Sequence, residues 1–231
     1  MCVVYDLSMP KRTLNVVGNL LILAGVLMLL LAYGPIIYDE IWYQIKTYRR
    51  QELSLSIPEE ISTPDSAFAR LLSSKPIRVK PVNKGFSIVI EKIGVNAPIV
   101  ADVPVTDKDE YLNSLKDGVA HALVSDYPSG ERGNVYLFAH SALNFWDFGK
   151  YSKVFNLLRK VEVGDTVYVF YEGDAYVYEV VTSEVYKGWN TYPLTRPTLE
   201  PILTLQTCDP PGTTLNRLVV TAKLTDVVED F

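Results

Sequence analysis

Thr204-Leu205-Gln206-Thr207-Cys208 is the stretch around which the chain is organised. Residues Ile202 to Thr207 combine leucine and β-branched side chains with alternating threonines, which predicts a buried β-strand ending at Cys208. The next residues, Asp209-Pro210-Pro211-Gly212, predict a loop because proline cannot extend a strand ladder and glycine accepts turn geometry. A second apolar strand is predicted at Arg217 to Leu224. Two strands joined this closely are most simply antiparallel neighbours.

In that pairing Cys208 and Arg217 face each other across the mouth of the loop. A permanent cation beside a thiol favours the thiolate, which is the nucleophilic form. The other cysteine, Cys2, is separated from Cys208 by a predicted membrane span, so the main domain holds one unpaired thiol. The alternative for Cys208 is an inert core residue, since free cysteine is among the most buried residue types.

Composition excludes two broad classes of protein. The chain has 231 residues, of which 48% are hydrophobic and 21% charged, so it is not disordered overall. The formal net charge is -5 and no basic block is present, so we expect no nucleic-acid binding. The length allows one domain of good size plus an additional segment.

Residues 14–38 contain no charged side chain and predict a transmembrane helix, because about 20 apolar residues cross a bilayer core. Lys11-Arg12 precedes this run and Asp39-Glu40 follows it. The positive-inside tendency then places residues 1–13 in the cytoplasm and the rest of the chain outside the cell membrane. A cleaved signal peptide is the alternative. The run is longer than a typical signal core and no small-residue cleavage site closes it, which favours an uncleaved anchor.

Residues 39–85 are interpreted as an extracytoplasmic stalk. The helix could continue over Ile41 to Leu55. Ser56 to Pro81 is rich in proline and serine and predicts a spacer with one helical turn around Phe68 to Leu72.

Residues 86–231 predict an all-β domain, a closed barrel or sandwich of seven or eight short strands with few helices. Helical patterns occur at Asp109 to Leu115 and Lys150 to Val161, and residues 186–201 predict a long loop. The remaining predicted strands are Phe86 to Glu91, the run up to Val100, Gly133 to His140, Thr166 to Glu172 and Ala175 to Val185.

A cysteine nucleophile needs a proton partner and a group that stabilises an oxyanion. The chain has two histidines, His121 and His140, and His140 ends a predicted strand as Cys208 does. Strand ends cluster at one rim of a barrel, so these two side chains can meet. Arg217 cannot lose its proton and can act only as a charge and a fork of donors. Taken singly, His140 fits a structural histidine and Arg217 a sheet-edge charge; the three together favour an enzyme.

These residues carry a resemblance to the sortases. The Thr-Leu-x-Thr-Cys stretch ending at Cys208, followed nine positions later by Arg217, resembles the sortase catalytic signature. Three further stretches are similar to the segment that leads to the catalytic histidine of the sortases. They are Gly118 to His121, Gly130 to Val135 and Phe138 to His140. The resemblance covers about Phe86 to Leu224, in the family's order.

The resemblance implies a sortase-type barrel and a cysteine transpeptidase that needs no metal or cofactor. Cys208 would attack the scissile carbonyl of a sorting motif in a secreted protein and form a thioacyl-enzyme. His140 would move protons and Arg217 would hold the oxyanion. An amine of a peptidoglycan precursor or of a protein lysine would then resolve the thioester. Thr207, His121 and the loop around Trp189 are weaker candidates for substrate contact.

Two features leave the subclass open. Ser141 follows His140 where the family commonly has arginine, and no second hydrophobic span follows the last strand, which argues against the pilus-polymerising type. The acidic cluster Asp102, Asp107, Asp109 and Glu110 fits no calcium loop and is interpreted as a solvated face.

Two rival interpretations remain. The first is a catalytically silent, membrane-anchored β-domain that binds peptides or partner proteins. The second is another type of cysteine peptidase, although the Cys-Gly-x-Cys run of papain-like enzymes and the Ser-His-Gly-Cys run of L,D-transpeptidases are absent.

Overall fold

The computed structural model describes residues 11–48, 53–55, 77–105, 108–141, 151 and 153–231. The helical turn expected around Phe68 to Leu72 lies outside these residues. The three described α-helices are α1 (Lys11–Tyr48), α2 (Lys108–Asp117) and α3 (Tyr192–Thr195). The ten described strands are β1 (Leu53–Leu55), β2 (Ile77–Val79), β3 (Phe86–Ile90), β4 (Val95–Val103), β5 (Val119–Ala122), β6 (Gly133–Phe138), β7 (Thr166–Tyr171), β8 (Asp174–Lys187), β9 (Pro201–Asp209) and β10 (Asn216–Val228).

Eight of the described strands form a closed barrel in the order β10-β8-β7-β3-β4-β5-β6-β9. The predicted all-β closed barrel is therefore confirmed. Strand β9 lies between β6, with which it is parallel, and β10, with which it is antiparallel. The chain thus brings the carboxyl ends of β6 and β9 and the start of β10 to the same end of the barrel.

The barrel interior is filled by branched aliphatic side chains that alternate along the strands. On β9, Leu203 and Leu205 are fully buried and face inward, whereas Gln206 and Cys208 are only partly buried. On β3, Ile88 and Ile90 are fully buried in the same core cluster. A slip of β9 by one residue would turn its buried leucines toward the outside of the barrel. Burial of these leucines therefore fixes the register of β9 and places Gln206 and Cys208 on its outer face.

Strand β5 was not anticipated from the sequence. All four of its residues are buried, so the pattern lacks the alternation of a half-buried strand. It pairs parallel with β4 and antiparallel with β6. The predicted long loop at 186–201 contains the short helix α3.

The helix predicted over Lys150 to Val161 is wrong for the described residues there, 151 and 153–161. They form consecutive turns and a 3₁₀-helix at Leu158–Lys160, with bonds three residues apart from Leu158 N to Phe155 O (3.1 Å) and from Val161 N to Leu158 O (3.1 Å). The apolar spacing correctly indicated burial, since Leu158 and Val161 belong to the core.

Helix α1 runs without interruption from Lys11 to Tyr48. Its segment Arg12–Leu31 has a mean hydropathy of 2.4 and is not buried, so by length and composition it can cross a membrane. The helix does not continue to Leu55 as expected. Its described part ends at Tyr48, and Leu53–Leu55 is a strand paired parallel with Ile77–Val79.

Candidate active site

A pocket of about 480 Å³ opens at the barrel end where β6 and β9 finish. Three of its lining residues are Cys208, His140 and Arg217. Its other walls come from the segment before α2, from α2, from the outer faces of β6 and β9, and from the loops around β8 and β10. The remaining lining residues are Val105, Tyr111, Leu112, Tyr136, Phe138, Gly188, Asn190, Thr191, Leu194, Gln206 and Thr214.

Cys208 and Arg217 occupy directly opposed positions on β9 and β10, which confirms the pairing predicted from the short loop. Cys208 is a free, half-buried thiol. Burial raises the pKa of the Cys208 thiol above its ordinary value, and the charge of Arg217 acts in the opposite direction. The cation therefore favours the thiolate as expected, but the effect of burial on the pKa of Cys208 is larger.

Hydrogen bonds fasten the segment after β6 to the end of β9 and to the loop that follows β9. Ala139 N donates to Gln206 O at 3.1 Å, and Gly212 N donates to Ser141 O at 2.7 Å. The buried Ser141 hydroxyl donates to the carbonyl oxygen of Cys208 at 2.8 Å. His140 lies between two residues held in this way, so its backbone is fixed beside the end of β9.

Aromatic side chains form one wall of the pocket. Tyr111 of α2 stacks on Phe138, with ring centroids 5.1 Å apart and an interplanar angle of 8°. The same ring meets His140 edge to face at 6.3 Å and 89°. Burial and the nearby Cys208 raise the pKa of Tyr111, so its hydroxyl stays protonated. Tyr136 donates to Gln206 Oε1 across the floor.

The opposite wall lies within residues 188–194, and a polar cluster joined to Pro193 O fixes its position. Arg196 Nη2 donates to Thr204 Oγ1 at 2.9 Å and to Thr221 Oγ1 at 2.8 Å. Thr204 donates to Asn134 Oδ1 at 2.7 Å, and Asn134 Nδ2 donates to Pro193 O at 3.0 Å. We call these four side chains, Arg196, Thr204, Thr221 and Asn134, the latch.

Glycine is required at position 188, where this wall begins. A Cβ atom there would lie 2.2 Å from Thr214 O, so the loop before β10 could not approach. Gly188 N instead donates to Leu215 O at 2.9 Å. This close contact brings Thr214 and Gly188 together at the pocket mouth.

The weaker candidates lie elsewhere. Thr207 points to the other face of β9, is buried and donates to Ala139 O at 2.9 Å. His121 is fully buried, and Trp189 is 82% exposed; neither lines the pocket, although the neighbours of Trp189, Gly188 and Asn190, do. Among the described residues, no group of three or more His, Cys, Asp or Glu side chains is arranged to hold a metal ion.

Comparison with protein families accounts for this arrangement. Residues 88–225 match the family model described as the sortase domain. This match covers more than half of the chain. The chain belongs to the sortase family. Membership implies transpeptidase chemistry that uses a cysteine.

Solved structures agree on the fold of the sortase domain. Sortase C1 of Streptococcus suis is 26% identical, with a TM-score of 0.51 over 62% of this chain and 74% of that chain. Sortase C-1 of Actinomyces oris is 24% identical, with a TM-score of 0.52 over 84% and 99%. Sortase E1 of Streptomyces coelicolor, solved with a tripeptide in its active site, is 21% identical, with a TM-score of 0.51 over 65% and 93%. No curated protein sequence matches the chain.

These neighbours belong to different sortase classes, so the likeness is to the family rather than to one class. Sequence reasoning missed Tyr111, Ser141 as a partner of Cys208, and the latch of the sortase domain. Tyr111 lies on a polar surface helix, and nothing in its local pattern indicates that it faces a pocket. The latch joins residues from four separate segments, which a linear pattern cannot reveal.

Proposed function

We propose that the protein is a membrane-anchored sortase that cleaves a sorting motif in secreted proteins and transfers the acyl fragment to an amine. One observation carries the proposal: within a sortase domain, Cys208, His140 and Arg217 line a single pocket. Each of the three supplies a group that thioester chemistry needs, a nucleophile, a proton carrier and a permanent cation.

In the proposed reaction the Cys208 sulfur attacks the carbonyl carbon of the scissile peptide bond. Because burial raises the pKa of the Cys208 thiol, the thiol proton is proposed to pass to His140 as the carbon–sulfur bond forms. The carbon–nitrogen bond then breaks, and the departing amine takes that proton from His140. A thioester and a free amine remain. An incoming amine attacks the thioester, gives a proton to His140 and releases Cys208 as a thiol.

Arg217 is proposed to hold the oxyanion of both tetrahedral intermediates. It pairs directly with Cys208 across the ladder, so its fork reaches the region next to the sulfur. Its Nη1 donates to Asn216 O at 3.1 Å, which leaves other guanidinium donors to face the pocket. A planar fork can donate two parallel bonds to one substrate, which lysine cannot do.

The pocket walls suit a peptide with both apolar and polar side chains. Val105, Leu112 and Leu194 provide aliphatic surface, whereas Gln206 and Asn190 provide amide groups. The proposed partners are therefore secreted proteins with a sorting motif, and an amine acceptor such as a peptidoglycan precursor or a protein lysine. Helix α1 supplies the proposed single-pass anchor, with the N-terminus in the cytoplasm and the barrel outside.

The test uses the full chain in detergent micelles with Cys2→Ser, so that Cys208 is the remaining thiol. A library of Leu-Pro-x-Thr-like peptides is added with a glycine or lysine amine. Mass spectrometry then follows the mass of the protein and of the peptides. We expect an acyl adduct on Cys208 and a ligated peptide, and neither with Cys208→Ala.

Turnover retained by Cys208→Ala would exclude the mechanism. No adduct, together with a Cys208 that stays inert to iodoacetamide, would favour the silent binding domain. An adduct that only water resolves would retain the thioester chemistry and exclude transfer.

A further inference from the structure

The part of helix α1 that follows the apolar span is attached to the barrel. Asn156 Nδ2 donates to Asp39 Oδ2 at 3.0 Å. Glu40 forms two ion pairs, with Arg159 at 2.9 Å and with Lys160 at 2.6 Å. Hydrogen bonding from Lys160 lowers the pKa of Glu40 against the effect of burial, so the pairs persist at neutral pH.

The attachment continues along the same helix for two more turns. Tyr43 packs against the barrel core, and Lys160 Nζ lies 5.3 Å from the centroid of its ring. Lys46 Nζ donates to Glu91 O at 2.7 Å and to Lys92 O at 2.9 Å. Positions 39, 43 and 46 lie on one helical face, so the contact follows a continuous stripe. We call residues 39–48 the strut.

The strut contacts the barrel end that carries the pocket. Residues 91–93 form the turn between β3 and β4, and β4 runs parallel with β5, pairing Ile99 with Val119. Strand β5 is antiparallel to β6, pairing Ala120 with Phe138. The start of β4 and the end of β6 therefore lie at the same end of the barrel. His140 follows β6 at that end.

Helix α1 is attached at this end of the barrel, and its apolar segment ends a short distance before the attachment. From Leu31, the last residue of that segment, to Asp39 there are about eight residues, or roughly 12 Å along the helix axis. A bilayer has a core of about 30 Å within a total thickness of about 40–45 Å. If α1 crosses the membrane, the attached end of the barrel lies at the surface of the headgroup layer.

We propose that the strut holds the pocket-bearing end of the barrel against the membrane, so that the enzyme acts on a peptide presented within a narrow range of heights above the bilayer. This inference rests on the proposed function, while the orientation of the barrel does not depend on turnover.

The orientation is tested by energy transfer in liposomes. The full chain carries Cys2→Ser and Cys208→Ser and receives one donor label. The label is attached at Thr214→Cys, next to the pocket, or at Asp230→Cys, past the other end of β10. The acceptor is on the lipid headgroups. We expect stronger transfer from position 214. Glu40→Lys, which places a cation against Arg159 and Lys160, should reduce the difference. Equal energy transfer from positions 214 and 230 in the chain that keeps Glu40 would overturn the proposal.

The height preference is tested with the active full chain in liposomes. The peptide identified above is attached to a membrane-spanning helix through Gly/Ser linkers of increasing length. We expect turnover to peak at one linker length, and Glu40→Lys to flatten this profile while turnover of the free peptide is unchanged. The charge-swapped chain Glu40→Lys with Arg159→Glu and Lys160→Glu should restore the peak.

A matched control breaks an ion pair that does not touch the helix. Glu200 pairs with Lys223 at 2.5 Å on the barrel surface, so Glu200→Lys should leave the linker profile unchanged. A flat profile in the unaltered chain, or a peak unaffected by Glu40→Lys, would overturn the height preference. Failure to turn over the free peptide would instead contradict the proposed function and leave the energy-transfer test intact.

Discussion

The two histidines of the chain lie in different environments, although both fall in segments that resemble the family. His140 is half-buried in a pocket, near an arginine and a free thiol and edge-on to Tyr111. His121 is fully buried on β5. Its Nε2 donates to Asp126 O at 3.0 Å and lies 3.0 Å from Ser125 Oγ.

The surroundings of His121 keep its ring neutral. Burial lowers the pKa of His121, and this effect exceeds the opposing effects of the Asp126 carbonyl and of Asp102. The carbonyl oxygen can only accept, so Nε2 carries the ring proton and Nδ1, 3.7 Å from Asp102, has no hydrogen-bond partner. A fully buried histidine whose pKa is lowered is poorly suited to accepting a proton during catalysis. The environment, rather than the segment in which a histidine occurs, therefore indicates its role.

Replacing each histidine is the strongest test of this difference. His140→Ala should lower kcat/KM by about 10²- to 10⁴-fold, the usual contribution of general acid–base catalysis. His121→Gln keeps a donor for the Asp126 carbonyl, so the folded protein should retain nearly normal kcat/KM and lose stability. Steady-state assays and thermal melts measure both. Added imidazole should partly rescue His140→Ala alone; equal losses of kcat/KM in the two variants would contradict the assignment.

The second test separates charge from geometry at the pocket. Arg217→Lys should lower kcat/KM on the order of 10²-fold, because lysine keeps the charge and loses the fork.

Alkylation of Cys208 should respond differently. Because Arg217 lowers the thiol pKa, Arg217→Ala should shift the alkylation profile to higher pH, while Arg217→Lys stays close to the parent. The iodoacetamide rate is measured against pH in the Cys2→Ser chain. A shift of similar size in both variants would show that the fork, not the charge, acts on the thiol.

A third test acts on the pocket wall and leaves both histidines in place. Arg196→Ala removes two hydrogen bonds from a cation to threonines, and hydrogen bonds to charged groups contribute about 1.5–3 kcal/mol each. We expect a lower midpoint of thermal unfolding and a higher KM, with kcat nearly unchanged, because the chemistry does not involve the latch. Arg196→Lys can satisfy one threonine and should be intermediate. A fall in kcat at constant KM would contradict this role.

Much of the barrel was predictable because its strands carry local signals. The alternation on β6 and the glycine turn between β7 and β8, which the structure places at Glu172-Gly173, are properties of neighbouring residues. The opposition of Cys208 and Arg217 followed from the length of one loop. Strand β5 has no alternation to detect, because both of its faces are buried.

Contacts between distant segments were not predictable. Within the segment interpreted as a stalk, Lys46, Leu55 and Val82 form hydrogen bonds to the barrel or to the turn between β3 and β4. Asn96 of β4, for example, donates to Lys80 O at 2.7 Å. A polar residue such as Lys46 has the same local pattern whether it faces solvent or a carbonyl group 45 residues away. The direction of the shift in the Cys208 pKa likewise depends on burial, which neighbouring charges in the sequence do not reveal.

The smallest expected effect concerns His121 and pH. The folded-state pKa is depressed below the ordinary value of 6.5, so below that pH the unfolded chain binds a proton that the folded chain does not. The free energy of unfolding should therefore fall as pH drops below about 6.5, by up to about 1.4 kcal/mol per pH unit. His121→Gln should remove this contribution, as measured by urea unfolding between about pH 5 and 7.

Asp102→Asn provides the matched variant, since asparagine tolerates the positive φ of 55° at this position. It removes a carboxylate that raises the pKa of His121, so its stability should fall further at low pH than that of the parent chain. If the parent and His121→Gln follow the same pH profile, His121 does not remain neutral in the folded chain, and the difference between the two histidines is smaller than their burial indicates.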